Sequence, residues 1–229
     1  MYPVQNSSSN QTLTLRPYQR EDVEFLKRLD HAACFNEPRT GKTPTSIIAF
    51  LERGLTKILI VCPNSALYQW AREFVRWSGL SVKVVIGSPD QKQKIIDSWE
   101  TGALIISYDA LKQTKRSVGS VDAILQKEPQ GVILDEAHRI NNPKSDNAKA
   151  AFKLATHIPY RLALTGTPAP NKPHEIWSIL HFLEPTVYKS YWTFINDFFY
   201  TRMVNLNCHS YKEIGNLRPN RVAALQNIL

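Results

Sequence analysis

From Pro17 onward the chain repeats one pattern: a short apolar run, a turn, then a segment with helical spacing. The runs are Ala32–Phe35, Ile58–Cys62, Val82–Ile86, Ala103–Ser107, Val132–Leu134 and Leu162–Leu164. Apart from Lys83 their interiors are continuously apolar, as strands covered on both faces require. Between them, Pro44–Arg53, Ala66–Trp77, Pro89–Glu100, Asp109–Gln126 and Asp146–Thr156 are mostly amphipathic at helical period. Thr43-Pro44 and Ser88-Pro89 each put proline in a first helical turn. Strand alternating with helix predicts an α/β fold, a parallel sheet flanked by helices on both faces. Ligands of such sheets sit at the carboxyl ends of the strands.

This alternation sets the organisation. Residues 1–14 are Ser-, Asn- and Gln-rich and read as a flexible tail, and 15–185 as one α/β lobe. After Pro185 the rhythm stops, and 186–229 reads as an aromatic-rich helical appendage whose aromatics belong to a core. With 229 residues, 43 % of them apolar, the chain has ample material to bury. No stretch approaches a membrane span, and the start resembles neither a signal nor a transit peptide. Three widely separated cysteines lack metal-ligand spacing and read as reduced thiols of an intracellular protein. The formal charge of +8 suits a polyanionic partner, and equally suits plain solubility.

Two stretches carry chemistry. In "FNEPRTGKTPTS" (35–46) a strand gives way to Gly41-Lys42-Thr43 and then a helix. Free N–H groups and the dipole at such a helix start favour phosphate. Lys42 can reach β- and γ-phosphates, the Thr43 hydroxyl can ligate Mg²⁺, and Gly41 allows close backbone approach. The full phosphate-loop pattern G-x-x-x-x-G-K-[ST] wants glycine at 36. This chain has Asn36, tolerated there as a residue that visits left-handed geometry. Arg39 either adds a cation beside the phosphates or faces solvent, and Thr40 completes the loop. In "GVILDEAHR" (131–139) an apolar strand ends in Asp135 and Glu136. There Asp135 would hold the Mg²⁺ shell and Glu136 would orient and deprotonate an attacking water. Together these elements predict an ATP site with Mg²⁺.

With both on the page, the chain resembles the first RecA-like lobe of a superfamily-two helicase, a P-loop NTPase lobe, in the Swi/Snf branch of DNA-dependent ATPases. "LRPYQREDVEFL" (15–26) resembles that branch's entry motif, whose glutamine, here Gln19, faces the adenine. "ILIVCPNSALYQWAREF" (58–74) resembles motif Ia and "IISYDAL" (105–111) motif Ib. The resemblance implies DNA-backbone contacts at Pro63, Asn64, Ser65, Ser107 and Tyr108. "ILDEAHRINNPKSDNAKA" (133–150) resembles motif II, where His138 would bridge hydrolysis and DNA sites. "LALTGTPAPNKPHEIWSILHFLEP" (162–185) resembles motif III, setting Thr165, Gly166 and Thr167 between the same sites. The family usually writes Met-Gly-Leu-Gly-Lys-Thr where this chain has Pro38-Arg39-Thr40-Gly41-Lys42-Thr43, a departure that bears on nucleotide affinity.

The resemblance implies ATP hydrolysis coupled to movement along double-stranded DNA, gripped by its backbone without sequence preference. Lys112, Lys115, Arg116, Lys144, Lys149 and Lys153 are candidate phosphate contacts, or simply solvated faces. It also implies a second RecA-like lobe supplying arginine fingers, so these residues alone are expected to be nearly inactive. The sequence stops in mid-helix, as one lobe of a longer protein would. The alternative is a non-catalytic relative that binds DNA or protein and keeps weak nucleotide affinity. A strand-separating helicase of another branch is a third reading. No membrane partner is expected, and short loops between motifs fit a bacterial cytoplasmic or virus-encoded member.

Overall fold

The computed structural model describes residues 13–37, 39–112, 120–206 and 209–228. Six parallel strands form one sheet: β1 (His31–Cys34), β2 (Lys57–Cys62), β3 (Val82–Val84), β4 (Gly102–Ser107), β5 (Gly131–Asp135) and β6 (Tyr160–Leu164). Their spatial order is β1-β6-β5-β2-β4-β3. Each expected run became a strand, shifted by at most a few residues.

Continuous apolar runs are needed because successive side chains enter two different cores. On one face Ile58, Ile60, Cys62, Ala103, Ile105, Ile133, Leu162 and Leu164 meet three helices. These are α1 (Pro17–Leu26), α2 (Lys42–Glu52) and α3 (Leu67–Ser78). On the other face Leu59, Val61, Leu104, Ile106, Val132, Leu134 and Ala163 pack against a second set. That set is α4 (Pro89–Asp97), α5 (Tyr108–Leu111), α6 (Val121–Leu125), α7 (Asp146–Ala155), α8 (Trp177–Leu183) and α9 (Tyr191–Phe198). Local signals set several starts. Ser88 and Ser145 accept from the backbone N–H groups of Gln91 and Ala148, capping α4 and α7. The helix expected over Asp109–Gln126 is two short helices, α5 and α6, on either side of the undescribed 113–119, where Lys115 and Arg116 fall.

Beyond α9 the expected helical appendage is largely replaced. An antiparallel hairpin, β7 (Phe199–Leu206) with β8 (His209–Leu217), leads to α10 (Val222–Ile228). Its base is tied to the lobe: Phe194, Ile195, Phe199 and Leu225 join the same core, as the aromatic content implied. Among the described residues no helix is long and apolar enough to cross a membrane.

Candidate nucleotide and DNA site

Parallel strands bring the tips of β1, β6 and β5 to one edge, and the two chemical stretches leave from it. The two stretches do not leave adjacent strands. Strand β6 lies between them, so β1 and β5 stand two strand spacings apart, about 10 Å. That width is on the scale of a nucleotide's phosphate chain.

The loop after β1 closes on itself. Lys42 Nζ donates to the carbonyls of Asn36 (2.8 Å) and Glu37 (2.9 Å), leaving one ammonium N–H uncommitted to the loop. Gly41 caps α2 at φ 85°, and Thr43 lies half-buried in the helix's first turn. The left-handed residues here are Gly41 and Arg39 (φ 68°), not Asn36. Asn36 instead donates from Nδ2 to Asp22 Oδ2 at 2.8 Å, fixing the loop to α1. Arg39 is exposed to solvent. Gln19 is buried against the same loop. Its Nε2 donates to the Thr40 carbonyl at 3.0 Å, and its Oε1 accepts from Arg16 N at 2.9 Å. A Cβ on Gly41 would lie 2.0 Å from that Nε2 and displace the Gln19 amide, and the φ of 85° is itself strained for any other residue.

At the tip of β5 the chain turns through a left-handed Glu136 (φ 52°, ψ 52°), costly for a residue with a Cβ and typical of functional sites. The turn splits the acids. Asp135 faces inward, and Trp70 Nε1 donates to its Oδ2 at 2.7 Å. Glu136 is exposed, with Oε2 3.2 Å from His138 Nδ1. Burial pushes the Asp135 carboxyl above the usual range, and the Glu136 charge adds to this. The Trp70 hydrogen bond and the Lys42 cation pull it back. Below them, burial and the Asp135 charge push the Cys62 thiol up to about 12.

Motif III joins the same network. His138 Nδ1 lies 3.1 Å from Thr165 Oγ1 and 3.5 Å from Thr167 Oγ1, and Thr167 N donates to Thr165 Oγ1. Thr165 is fully buried and Gly166 half-buried, which leaves Thr167 as the exposed side chain of the three.

Asn64 and Ser65 are exposed in the single turn that opens α3, while Pro63 is buried and its carbonyl accepts from Ala66 N. Four expected DNA contacts have buried side chains: Pro63 and Thr165, described above, and Tyr108 and Ser107. Tyr108 is 2 % exposed, and its hydroxyl donates inward to the Asp135 carbonyl at 2.8 Å. Ser107 is 4 % exposed, and its hydroxyl caps α5 by accepting from Ala110 N. Three candidate phosphate lysines already have acidic partners: Lys112 with Asp109, Lys149 with Asp146 and Lys153 with Asp122. Lys144 is exposed, and Lys115 and Arg116 lie outside the described residues. Nothing in the sequence marks Trp70, because Leu67, Trp70 and Phe74 form a plain buried stripe, which accounts for the ring but not its N–H.

The oxygens of Asp135, partly buried at the tip of β5, and of Thr43, in the first turn of α2, are donors of the hard kind that magnesium takes. No group of three or more His, Cys, Asp or Glu placed to hold a metal occurs among the described residues.

The profile of one family, the SNF2-related domain, matches residues 14–229. Protein CHROMATIN REMODELING 5 of Arabidopsis thaliana is 28 % identical over 225 residues, covering 89 % of this chain and 12 % of that protein. Helicase SWR1 of Saccharomyces cerevisiae is 34 % identical over 185 residues, covering 75 % of this chain and 12 % of that protein. A solved structure, the Sulfolobus solfataricus SWI2/SNF2 ATPase core in complex with dsDNA, superposes with a TM-score of 0.65 at 29 % identity. It covers 81 % of this chain and 39 % of that one. The chain thus spans about an eighth of the length of these two curated relatives.

Proposed function

Starting from the premise that this chain belongs to the SNF2-related domain family, we propose that it is the ATP-binding lobe of a DNA-dependent motor. In this reading the loop 36–43 cradles the triphosphate of ATP, with backbone N–H groups at the start of α2 and the Lys42 ammonium meeting its oxygens. Asp135 and the Thr43 hydroxyl would hold magnesium, which when bound would neutralise charge developing on the phosphate oxygens. Glu136 lies exposed at the same edge and takes the proton of the attacking water. His138 ties that glutamate to the motif III threonines. Asn64, Ser65 and Thr167 contact the DNA backbone from the exposed rim of the edge. Arginine fingers from a second RecA-like lobe complete the cleft, so the 229 residues alone turn over ATP barely.

One observation carries this reading: the phosphate-loop lysine and the paired acids follow strands β1 and β5 of one parallel sheet, at the same edge and with only β6 between them. Double-stranded DNA as partner is supported by the similarity to a core solved with dsDNA. The test is steady-state ATP hydrolysis by the full-length protein with and without duplex DNA. Parent protein is expected to be stimulated by duplex, and Lys42→Ala and Glu136→Gln to lose about a hundredfold or more in rate. Equal rates from parent and both variants would remove the assigned roles.

A further inference from the structure

Asp135 is gripped from two sides by residues that belong to other motifs. Trp70 Nε1 donates to its carboxylate Oδ2 at 2.7 Å, and Tyr108 Oη donates to its carbonyl at 2.8 Å. Both rings are buried, at 2 % exposure each, so their polar atoms have no solvent to turn to. Trp70 lies on α3, one helical turn and a half beyond the exposed Asn64 and Ser65, and Tyr108 begins α5 at the tip of β4. The structure therefore assigns Trp70, with Tyr108 in support, as a positioning residue for the magnesium ligand.

The physical reason is rotamer control. A partly buried aspartate at a strand tip can swing about χ1 and χ2, and each wrong rotamer turns its free oxygen from the metal. An indole N–H occupying Oδ2 leaves the other oxygen for the cation and fixes its direction, as outer partners commonly do for metal ligands. The phenol pins the backbone from which that side chain hangs. Neither group touches nucleotide or metal, so both act through Asp135.

This inference rests on the proposed function. Its test is binding of a fluorescent ADP analogue to the full-length protein, titrated with and without Mg²⁺. Trp70→Phe keeps the packed ring and deletes the donor. It is expected to weaken Mg²⁺-dependent affinity about tenfold, as loss of one hydrogen bond to a charged group would, and to leave Mg²⁺-free affinity unchanged. Tyr108→Phe is expected to lose about threefold, and decides the matter should Trp70→Phe fail to fold. Trp99→Phe is the control, because that buried indole donates to the Gly102 carbonyl, away from the site, and parent affinity is expected. Parent-like Mg²⁺ dependence in both Trp70→Phe and Tyr108→Phe would overturn the inference alone. An equal loss in Trp99→Phe would overturn it too, by showing a general packing effect. A parent protein without Mg²⁺-dependent binding would overturn the proposed function along with it.

Discussion

At the scale of single residues, Asp135 sits where its charge is a burden to the folded chain. Burial raises its pKa, so proton release is harder in the native state than in the unfolded one. The sign follows directly. Below the unfolded carboxylate value, about pH 4, both states hold the proton and the full contribution is present. As pH rises through the higher native value, that contribution is lost. Asp135→Asn keeps an acceptor for Trp70 and removes the charge. Its nucleotide-free form is expected to melt about 2–4 °C above the parent at neutral pH, with the gap closing near pH 4. Calorimetric scans at both pH values check this, and a lower melting temperature for the variant at neutral pH would contradict it. The site was legible in part for a chemical reason. Lys42, Thr43, Asp135 and Glu136 announce themselves because their functional groups have few other uses at strand tips. Gln19 is marked by the resemblance of its motif and not by its own chemistry, and Trp70 is not marked at all. The first looks like any surface amide on α1, and the second is fully explained by an apolar stripe.

At the scale of elements, α8 is fastened to the sheet by a buried cation. Arg161 on β6 is 7 % exposed and spends its guanidinium on backbone carbonyls, donating twice to Leu183 and once to Ile158. Burial lowers its pKa, with the charges of Glu184 and Asp30 opposing. Arg161→Met would keep the stem's packing but orphan those carbonyls. A loss of about 2–4 kcal/mol in denaturant-melt stability is expected, and a change under 0.5 kcal/mol would refute the fastening role. The sheet itself was readable because strands buried on both faces have no polar positions to blur them. β2 reads Ile58–Cys62 without interruption, each residue committed to one core or the other. The hairpin was not readable. Arg202, Met203 and Tyr211 are exposed and Val204 half-buried, so no apolar face imposes a period of two on β7. The pairing is held by backbone ladders and cross-strand contacts such as Arg202 with Glu213, which leave little trace in hydrophobic pattern.

At the scale of the whole molecule, the formal charge of +8 bears on the proposed grip on duplex DNA. With several motif lysines already paired to acids, fewer cations are free to displace counterions than the sequence count implies. Duplex affinity of the full-length protein is expected to fall with salt at a log–log slope of roughly −2 to −4, irrespective of base sequence. Anisotropy titrations of two unrelated duplexes between about 50 and 200 mM salt measure it. A slope near zero, or strong preference for one duplex, would refute backbone gripping. The strand order carries one more consequence. β6 is hydrogen-bonded to β1 on one side and β5 on the other, along the whole of each register. Any spreading or tightening of the cleft between lysine and acids must therefore strain or tilt this middle rung, and Thr167 rides at the rung's outer tip. The distance between the two chemical stretches is thus set by one strand that belongs to neither of them.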